Sequence, residues 1–294
     1  MKTHAPDSRR YHIVLHLLLT GFTLLAVYPI LWVFTLAFSG GQSLVIADLP
    51  ADPGFWDRLR SVLPWPKTLS VANFTDVLTN EPFGRWLFNS AVVAGATTLL
   101  GVFLACTAAY AFSRFRFIGR RTGMMMFLVS QMFPGTLMMV PLFIIIVKWL
   151  HLGNTYIGLV MVYAVTAIPF CVWMLKGYFD TNPLEIEESA IMDGASPAVI
   201  FFRIILPLAK PAVAVTALFS FMTGWNEFIL ASIFMEQEAS YTAPVGLRFF
   251  VGGFSSQWGY FAAGSILVSL PVVALFYYLQ KYLISGLTAG GVKG

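Results

Sequence analysis

The sequence has few charged residues for its length. Of its 294 residues only 11% are charged, whereas 58% are apolar. An average soluble domain has about 25% charged and about 45–50% apolar residues. Because so few charges cannot cover a surface exposed to water, most of the chain must face lipid or other membrane helices. This composition excludes a cytosolic enzyme, a nucleic-acid-binding protein and a secreted domain held together by disulfides.

The sequence also lacks the residue groups that catalytic and metal sites need. Cys106 and Cys171 lie in separate apolar runs without Cys-x-x-Cys spacing, so we expect neither a disulfide nor a metal site. The phosphate loop G-x-x-x-x-G-K-[ST] is absent, so the chain is not expected to bind ATP in that manner. No histidine is spaced with a second histidine or an acid as a metalloprotease helix requires. These absences argue against a membrane-embedded enzyme and predict no catalytic residue, no metal and no cofactor bound by this chain.

Six long apolar runs are present. Each reaches the roughly 20 residues that a helix needs to cross a hydrocarbon core of about 30 Å. Transmembrane strands would instead be about 9–11 residues of alternating character. We therefore predict an all-α membrane protein, with one transmembrane domain over residues 1–294. Its six spans are predicted at approximately residues 13–38, 86–112, 123–147, 156–175, 211–235 and 260–283.

Lysine and arginine are unevenly divided between the segments that connect these spans. The N-terminus, residues 113–122, residues 176–210 and the tail from residue 281 carry 12 of them, and the opposite segments carry six. By the positive-inside rule, both termini lie in the cytoplasm. The densest basic group, which we interpret as an ordinary cytoplasmic anchor, consists of Arg114, Arg116, Arg120 and Arg121.

The first apolar run follows basic residues, as the core of a secretory signal peptide does. A signal-peptide core has about 7–15 apolar residues, whereas this run has 26. We therefore predict that it is retained as the first helix.

Acidic residues are nearly missing from the predicted spans, and Glu227 is the one clear case. An unpaired charge at membrane depth costs at least about 2.5–3.5 kcal/mol, so its carboxylate should face the bundle interior, a partner or water. Ion-coupled transporters usually need buried titratable groups. Their scarcity argues against a secondary transporter, which stays open as an alternative because backbone carbonyls can also bind sodium.

The loop between the fourth and fifth predicted spans, residues 181–207, contains signals for a helix start and a helix stop. Asn182 is a suitable N-cap, with Pro183 in the first helical position and Glu185 three residues after the cap. Gly194 can take the left-handed conformation that ends a helix.

A second helix is predicted directly after this stop. Ser196 caps it and Pro197 opens it. Two short helices joined by a fixed turn form a stiff lever, which can pass force from a soluble partner to the neighbouring spans. The alternative interpretation is an amphipathic connector on the membrane surface.

A spaced pattern in this loop favours the lever. Glu188-Ser189-Ala190, three residues, Gly194, nine residues, Ile204, one residue and Leu206-Pro207 resembles the EAA motif of permease subunits of ATP-binding-cassette importers. That motif reads E-A-A, x3, G, x9, I, x, L-P. Six of its seven literal positions agree, and Ser189 replaces alanine with another small residue.

The resemblance implies the fold of a type I importer permease and a mechanism. In that family the loop docks into a cleft on a separate ATPase, and closure of two ATPases rocks paired permeases between inward- and outward-facing states. The implied partners are a second permease in a heterodimer, two ATPase subunits that hold ATP and Mg, and an external sugar-binding protein at the bacterial inner membrane. The residues that the resemblance assigns to ATPase coupling are Glu188, Ser189, Ala190, Met192, Asp193, Gly194, Ala195, Phe201, Arg203, Ile204, Leu206 and Pro207.

Arg203 is the one cation on the second helix of the loop. It would pair either with an acid of the ATPase or with a lipid phosphate, and both interpretations stay open.

Other segments extend the likeness over nearly the whole chain. Residues 224–228, Gly-Trp-Asn-Glu-Phe, resemble a fifth-span sequence common among carbohydrate permeases. Residues 131–134, 240–242 and 286–294 resemble the maltose-type second permease. The implied cargo is maltose, maltodextrin, trehalose or a related oligosaccharide, with another solute such as glycerol phosphate as the alternative.

Polar residues in or near the spans are candidates for the substrate pathway. The Glu227 carboxylate would accept hydrogen bonds from sugar hydroxyls, or it would make a packing or gating contact with the paired permease. Gln131 would line the cavity or bridge helices through a hydrogen bond, typically worth under about 1–2 kcal/mol. The candidates are Gln131, Trp225, Asn226 and Glu227.

Two flexible segments complete the set of candidates. Glycines and serines at the tip of the predicted external loop 236–257 permit tight turns. This tip would probe a docked sugar-binding protein, or it is an ordinary surface loop. The tail, residues 285–294, is predicted to be flexible and would either reach the ATPases or remain free. The tip residues are Gly252, Gly253, Phe254, Ser255 and Ser256.

Overall fold

The described part of the molecule is helical. The computed structural model describes residues 8–44, 52–62, 66, 68–252 and 256–291, and no strand occurs in those ranges. Two π-helical turns, Ile144–Trp149 and Ile200–Ile205, and one 3-10 turn, Glu238–Ser240, join or extend helices. In chain order the α-helices are α1 (Ser8–Ala37), α2 (Phe55–Val62), α3 (Ala72–Thr79), α4 (Phe83–Arg114), α5 (Arg120–Met132), α6 (Gly135–Phe143), α7 (Tyr156–Thr181), α8 (Glu185–Met192), α9 (Pro197–Val199), α10 (Leu206–Leu208), α11 (Lys210–Trp225), α12 (Ile229–Phe234), α13 (Ala243–Phe249) and α14 (Trp258–Gly291).

Four helices of the described chain, α1, α4, α7 and α14, are long and apolar enough to cross a membrane. Two further helix pairs qualify only if each bent pair counts as one span, which would raise the number to six. One pair is α5 with the helix from Gly135 to Trp149, bent by 104°. The other is the helix from Pro197 to Leu208 with α11, bent by 80°.

The predicted third span, residues 123–147, is thus two helices instead of one continuous helix. The break lies at Phe133, whose φ of −75° and ψ of 129° are extended. Proline disfavours the helical conformation of the residue before it and supplies no N–H of its own. Pro134 therefore ends α5 and starts a new direction.

The predicted fifth span, residues 211–235, is also interrupted. Its first helix, α11, ends at Trp225, and α12 begins only at Ile229. The carboxylate of Glu227 accepts hydrogen bonds from the first free amides of α12, so the intervening residues cap a new helix instead of continuing the old one.

The last helix is longer than predicted. α14 continues to Gly291, so the tail that was expected to be flexible from residue 285 is helical as far as residue 291. Each glycine lowers helix propensity by only about 1 kcal/mol relative to alanine, and no proline follows Pro271 to end the helix. Residues 292–294 lie outside the described chain.

The chain forms two compact units. One contains Met1–Pro82 and Leu247–Leu267, and the other contains Phe83–Gly246 and Val268–Gly294. In the first unit, the Asn73 side chain donates to the carbonyls of Leu36, Ala37 and Ser39 at 2.7–3.2 Å, and so caps the end of α1 from α3.

The second unit is built around α4, α7 and α11. Small residues let α4 and α11 approach closely: a Cβ atom on Gly224 would lie 3.3 Å from the Ala94 Cα, and one on Gly101 would lie 3.2 Å from the Ser220 Oγ. Close approach through small residues is the usual way in which membrane helices gain van der Waals contact.

A buried cluster joins α4 and α7 to the helices of the 181–207 loop. We call it the loop core, and it positions the candidate site. Its members include Ala105, Ala109, Tyr110, Cys171, Leu175, Phe179, Ala190, Ile200, Phe201, Ile205 and Ala209.

Candidate functional site

The turn after α8 has a fixed backbone geometry. Gly194 has a φ of 82°, in the left-handed region that favours glycine. Its N–H donates to the Ile191 carbonyl, and the Ala195 N–H donates to the Ala190 carbonyl, both at 2.9 Å. This pair of bonds is a Schellman motif. The predicted helix stop at Gly194 is confirmed.

The predicted start of α8 is wrong by about two residues. Asn182 does not cap α8; it terminates α7, with ψ near 130° and its N–H donating to the Phe179 carbonyl at 3.1 Å. Because a residue before proline prefers an extended backbone, Asn182 is extended and cannot belong to a helix. Pro183 and Leu184 connect it to α8, which therefore begins at Glu185.

The second loop helix begins as predicted. The Ser196 hydroxyl accepts a hydrogen bond from the Val199 N–H at 3.4 Å, and Pro197 occupies the first helical position. The helix then runs through the π-helical turn to Leu208.

One face of the loop is buried in the loop core. Ala190 and Phe201 are each only 7% exposed, and Ile205 is fully buried. The Phe201 ring lies 5.0 Å from the Tyr110 ring of α4, centroid to centroid. These contacts anchor both loop helices to the transmembrane part of the second unit.

The other face projects outward and is rich in acids. Glu185, Glu188 and Asp193 are exposed, and Met192 is 87% exposed between them. An exposed methionine beside acids gives the outer face both a flexible apolar contact and negative charge. Of the residues assigned to coupling, the exposed ones are Glu188, Ser189, Met192, Asp193, Gly194, Arg203 and Pro207, the partly buried ones are Ala195, Ile204 and Leu206, and the buried ones are Ala190 and Phe201.

The third acid of α8, Glu187, points inward, and sequence reasoning did not single it out. Its side chain is 10% exposed and pairs with the Arg114 guanidinium, which is 8% exposed, at 2.5 Å. The second carboxylate oxygen accepts the Tyr110 hydroxyl at 2.8 Å. The guanidinium also donates to the Asn182 carbonyl at 3.2 Å and to the Ser113 hydroxyl at 3.1 Å. We call Tyr110, Arg114 and Glu187 the α4–α8 clamp.

Two members of the basic group that we interpret as an ordinary cytoplasmic anchor also bind other parts of the chain. Arg114 is buried in an ion pair, and Arg120 donates to the Phe112 and Ser113 carbonyls at the end of α4. Arg116 and Arg121 are exposed, as an anchor would be.

The inward direction of Glu187 follows from helix geometry. Consecutive helical residues point about 100° apart, so Glu187 and Glu188 cannot share a face. The spacing of Glu187 three residues before the apolar Ala190 could have predicted its inward direction.

The candidates for the substrate pathway occupy different environments. Gln131 is exposed on α5 and its side-chain amide donates to the Thr166 carbonyl of α7 at 3.4 Å. Trp225 is 1% exposed, and its indole N–H donates to the Val268 carbonyl at 3.1 Å. Gln131 is therefore accessible to a cavity, whereas Trp225 is packed inside the second unit.

Glu227 and Asn226 lie at the break between α11 and α12. The Glu227 carboxylate accepts the N–H groups of Leu230 and Ala231, both at 2.9 Å, and so caps α12. This cap was not predicted from the sequence; contact of Glu227 with a sugar or with a paired permease stays a prediction. Asn226 is exposed beside it.

The external candidates lie only partly within the described chain. Gly252 is exposed and Ser256 is partly buried, whereas Gly253, Phe254 and Ser255 fall outside the described residues. The segment before them is more ordered than a plain loop, since it contains Glu238–Ser240 and α13.

Comparison with known proteins gives a consistent result. Residues 97–288 match the family model described as "Binding-protein-dependent transport system inner membrane component". The chain is 35% identical over 281 residues to the maltodextrin transport system permease protein MalD of Streptococcus pneumoniae, covering 95% of this chain and 94% of that protein. It is 38% identical over 291 residues to the galactooligosaccharides transport system permease protein GanQ of Bacillus subtilis, with coverage of 97% and 98%.

A third relative is the maltose/maltodextrin transport system permease protein MalG of Vibrio vulnificus, 37% identical over 289 residues, with 95% of each chain covered. Among solved structures, a bacterial ABC transporter involved in the import of the acidic polysaccharide alginate contains a chain with a TM-score of 0.79 and 23% identity. The match covers 96% of this chain and 100% of that one, and it shows that the two share a fold.

Proposed function

The chain belongs to the family of inner membrane components of binding-protein-dependent transport systems, and from this membership we propose that it is the permease subunit of an ATP-driven oligosaccharide importer. Its task is to convert the closure of ATPase subunits into a change of access across the membrane. The chemistry of ATP hydrolysis, with its Mg ion, belongs to those partner subunits.

The observation that carries this proposal is the two-faced geometry of the 181–207 loop. Its outer face offers Glu188, Met192 and Asp193 to a partner, while its inner face is buried against α4 and α7. The Schellman turn at Gly194 holds the two loop helices at one angle. A force applied to the outer face is therefore delivered to packed helices instead of being lost in a flexible linker.

The loop also connects directly to α11. The second loop helix ends at Leu208, and after Ala209 the chain continues as α11 at an angle of 80°. Because α11 packs closely on α4 through Gly224 and Gly101, displacement of the loop would move several membrane helices together. This is the movement that alternating access requires.

The proposed assembly contains a second permease, two ATPases and an external sugar-binding protein. In it, both termini and the 181–207 loop lie in the cytoplasm of a bacterium. Large apolar side chains are exposed along α1, and α5 has no buried residue among those described. Such surfaces are suited to lipid or to the second permease.

The proposed cargo is maltose, maltodextrin, trehalose or a related oligosaccharide. Support comes from the named cargo of the relatives, which are maltodextrin, galactooligosaccharide and maltose permeases. Family membership disfavours the ion-coupled transporter considered above. Glycerol phosphate is the alternative cargo, and an experiment must distinguish it from an oligosaccharide.

The test is uptake by the complete complex in proteoliposomes. The chain is co-expressed with the ATPase, second permease and binding protein from the same genome, and uptake of labelled maltotriose, trehalose and glycerol 3-phosphate is measured. We expect uptake of a sugar that requires both ATP and the binding protein. Uptake driven by an ion gradient without ATP would contradict the proposal. ATP-dependent uptake of glycerol 3-phosphate, without uptake of either sugar, would show that the cargo is glycerol phosphate instead of an oligosaccharide.

A further inference from the structure

The α4–α8 clamp is a directional contact between the coupling loop and a transmembrane helix. Apolar contacts of the loop core tolerate small sliding, because dispersion attraction has little angular preference. The contacts of the clamp depend on direction, since hydrogen bonds weaken steeply when their angles change. Tyr110 and Arg114 lie one turn apart at the end of α4, and each donates to one oxygen of the Glu187 carboxylate.

Both charged groups of the clamp have several hydrogen-bond partners. Each Glu187 oxygen has a donor, and the Arg114 guanidinium has the Asn182 carbonyl and the Ser113 hydroxyl as further acceptors. A buried ion pair is a weak source of net stability, because desolvation offsets much of its attraction, but removal of one partner leaves an uncompensated charge. Loss of either charged group would therefore disfavour the observed orientation of α8 relative to α4.

The clamp lies on the buried side of α8. Glu185, Glu188 and Asp193 remain exposed for docking, whereas Glu187 is turned to the interior. Contact with a partner and transmission of movement to α4 are thus assigned to different acids of the 181–207 loop.

We propose that Glu187, Arg114 and Tyr110 are positioning residues that make α4 move with α8, so that displacement of the loop reaches the membrane part of the transporter. This inference rests on the proposed function. Since α4 touches α7 through the loop core and α11 through Ala94 and Gly101, loop movement that reaches α4 through the clamp would also reach these helices.

The first test needs only the full chain in lipid nanodiscs. Cys106 and Cys171 are buried, so a spin label on Met192→Cys, whose site is 87% exposed, reports on α8 alone. We expect Glu187→Gln and Arg114→Gln to increase label mobility. The matched control is Arg116→Gln, which removes an exposed arginine from the same segment and should leave mobility unchanged. Unchanged mobility in both clamp variants would overturn the proposal.

The second test measures the number of sugar molecules imported per ATP hydrolysed by the assembled complex, with maltotriose as the probe. We expect Glu187→Gln and Arg114→Gln to lower this ratio while the ATPase subunits still co-purify, because ATP would be hydrolysed without the full movement of α4. Arg116→Gln should keep the wild-type ratio. A wild-type ratio in both clamp variants would overturn the proposal.

Two variants separate positioning from simple folding defects. The exchange of Arg114→Glu with Glu187→Arg restores opposite charges and should recover part of the transport ratio. Tyr110→Phe removes one hydroxyl and keeps the ring beside Phe201, so it should lower the ratio mildly in a normally assembled complex. Loss of assembly in the single variants without recovery by the exchange would show a structural role only and would overturn the proposal. If the wild-type complex imports no sugar, the proposed function fails, while label mobility still decides on the clamp.

Discussion

Gly194 and Glu187 show how much the geometry of the 181–207 loop depends on single residues. At Gly194 the backbone is left-handed, and although no atom would lie within 4 Å of a Cβ added there, any Cβ would be strained by the φ of 82°. At Glu187 the constraint is chemical, because its carboxylate needs two donors that come from α4. Glu227 illustrates a third case, in which an acid at membrane depth is satisfied by helix amides instead of by a counter-ion.

Gly194→Asp is expected to abolish uptake while the protein remains inserted in the membrane. The substitution adds a side chain in a strained conformation and a negative charge beside Asp193, on the face proposed to dock. The measurement is uptake together with the amount of protein in the membrane fraction. Gly194→Asn is the control, because asparagine has nearly the shape and backbone preference of aspartate but no charge; it should retain part of the uptake. Normal transport by Gly194→Asp would refute the coupling assignment.

At the scale of elements, breaks in the apolar runs determine where the helices begin, and small residues determine how closely the helices pack. Pro134 and Glu227 each begin a new helix inside an apolar run that is long enough for one span. Hydropathy registers only the length of such a run, so it cannot locate these breaks. Contacts between helices depend on the small residues that let backbones approach, which explains why glycines at interfaces are sensitive to substitution.

Gly246→Ala should destabilise the protein. A Cβ atom at this position would lie 2.0 Å from the Trp86 ring, which is 1% exposed and donates its indole N–H to the Glu238 carbonyl at 3.2 Å. Overpacking of this kind typically costs about 1–3 kcal/mol, so the melting temperature in detergent should fall. Gly95→Ala is the control, because no atom lies within 4 Å of its added carbon and alanine favours a helix. Equal melting temperatures of Gly246→Ala and the wild type would contradict the packing argument.

At the scale of the whole molecule, charge and apolar surface indicate how the chain sits in a membrane. Twelve of the 18 lysines and arginines fall on the side predicted to be cytoplasmic, and α1 exposes large apolar side chains such as Phe22 and Leu25, each 72% exposed. The fold agrees over 96% of the chain with that of a solved ABC transporter chain. Exposed apolar surfaces of this kind are suited to lipid or to a partner.

Orientation can be tested by labelling single cysteines in intact bacterial spheroplasts with a membrane-impermeant maleimide. Leu69→Cys, in the predicted external segment at a site 79% exposed, should react in intact cells. Met192→Cys should react only after permeabilisation. The wild-type chain serves as the control, because its two cysteines are buried. The opposite pattern of reaction would reverse the predicted topology.

Much of the fold class and the position of the loop followed from the sequence alone. Apolar runs of about 20 residues predict membrane helices for any arrangement of neighbours, and the helix stop at Gly194 and the cap at Ser196 depend on residues next to each other in the chain. Local signals of this kind can be recognised without knowledge of the tertiary structure. The spaced motif of the loop likewise indicated the family that the comparisons then identified.

Only the tertiary structure decided which polar residues face inward. Glu187 meets Arg114 across 73 positions of the chain, and Trp225 meets the Val268 carbonyl across 43. Whether a polar side chain is buried depends on which distant donors and acceptors approach it, because burial without a partner is costly. A sequence shows that Glu187 and Glu188 are both acids; the packing of α8 on α4 makes one an internal clamp and leaves the other for a partner.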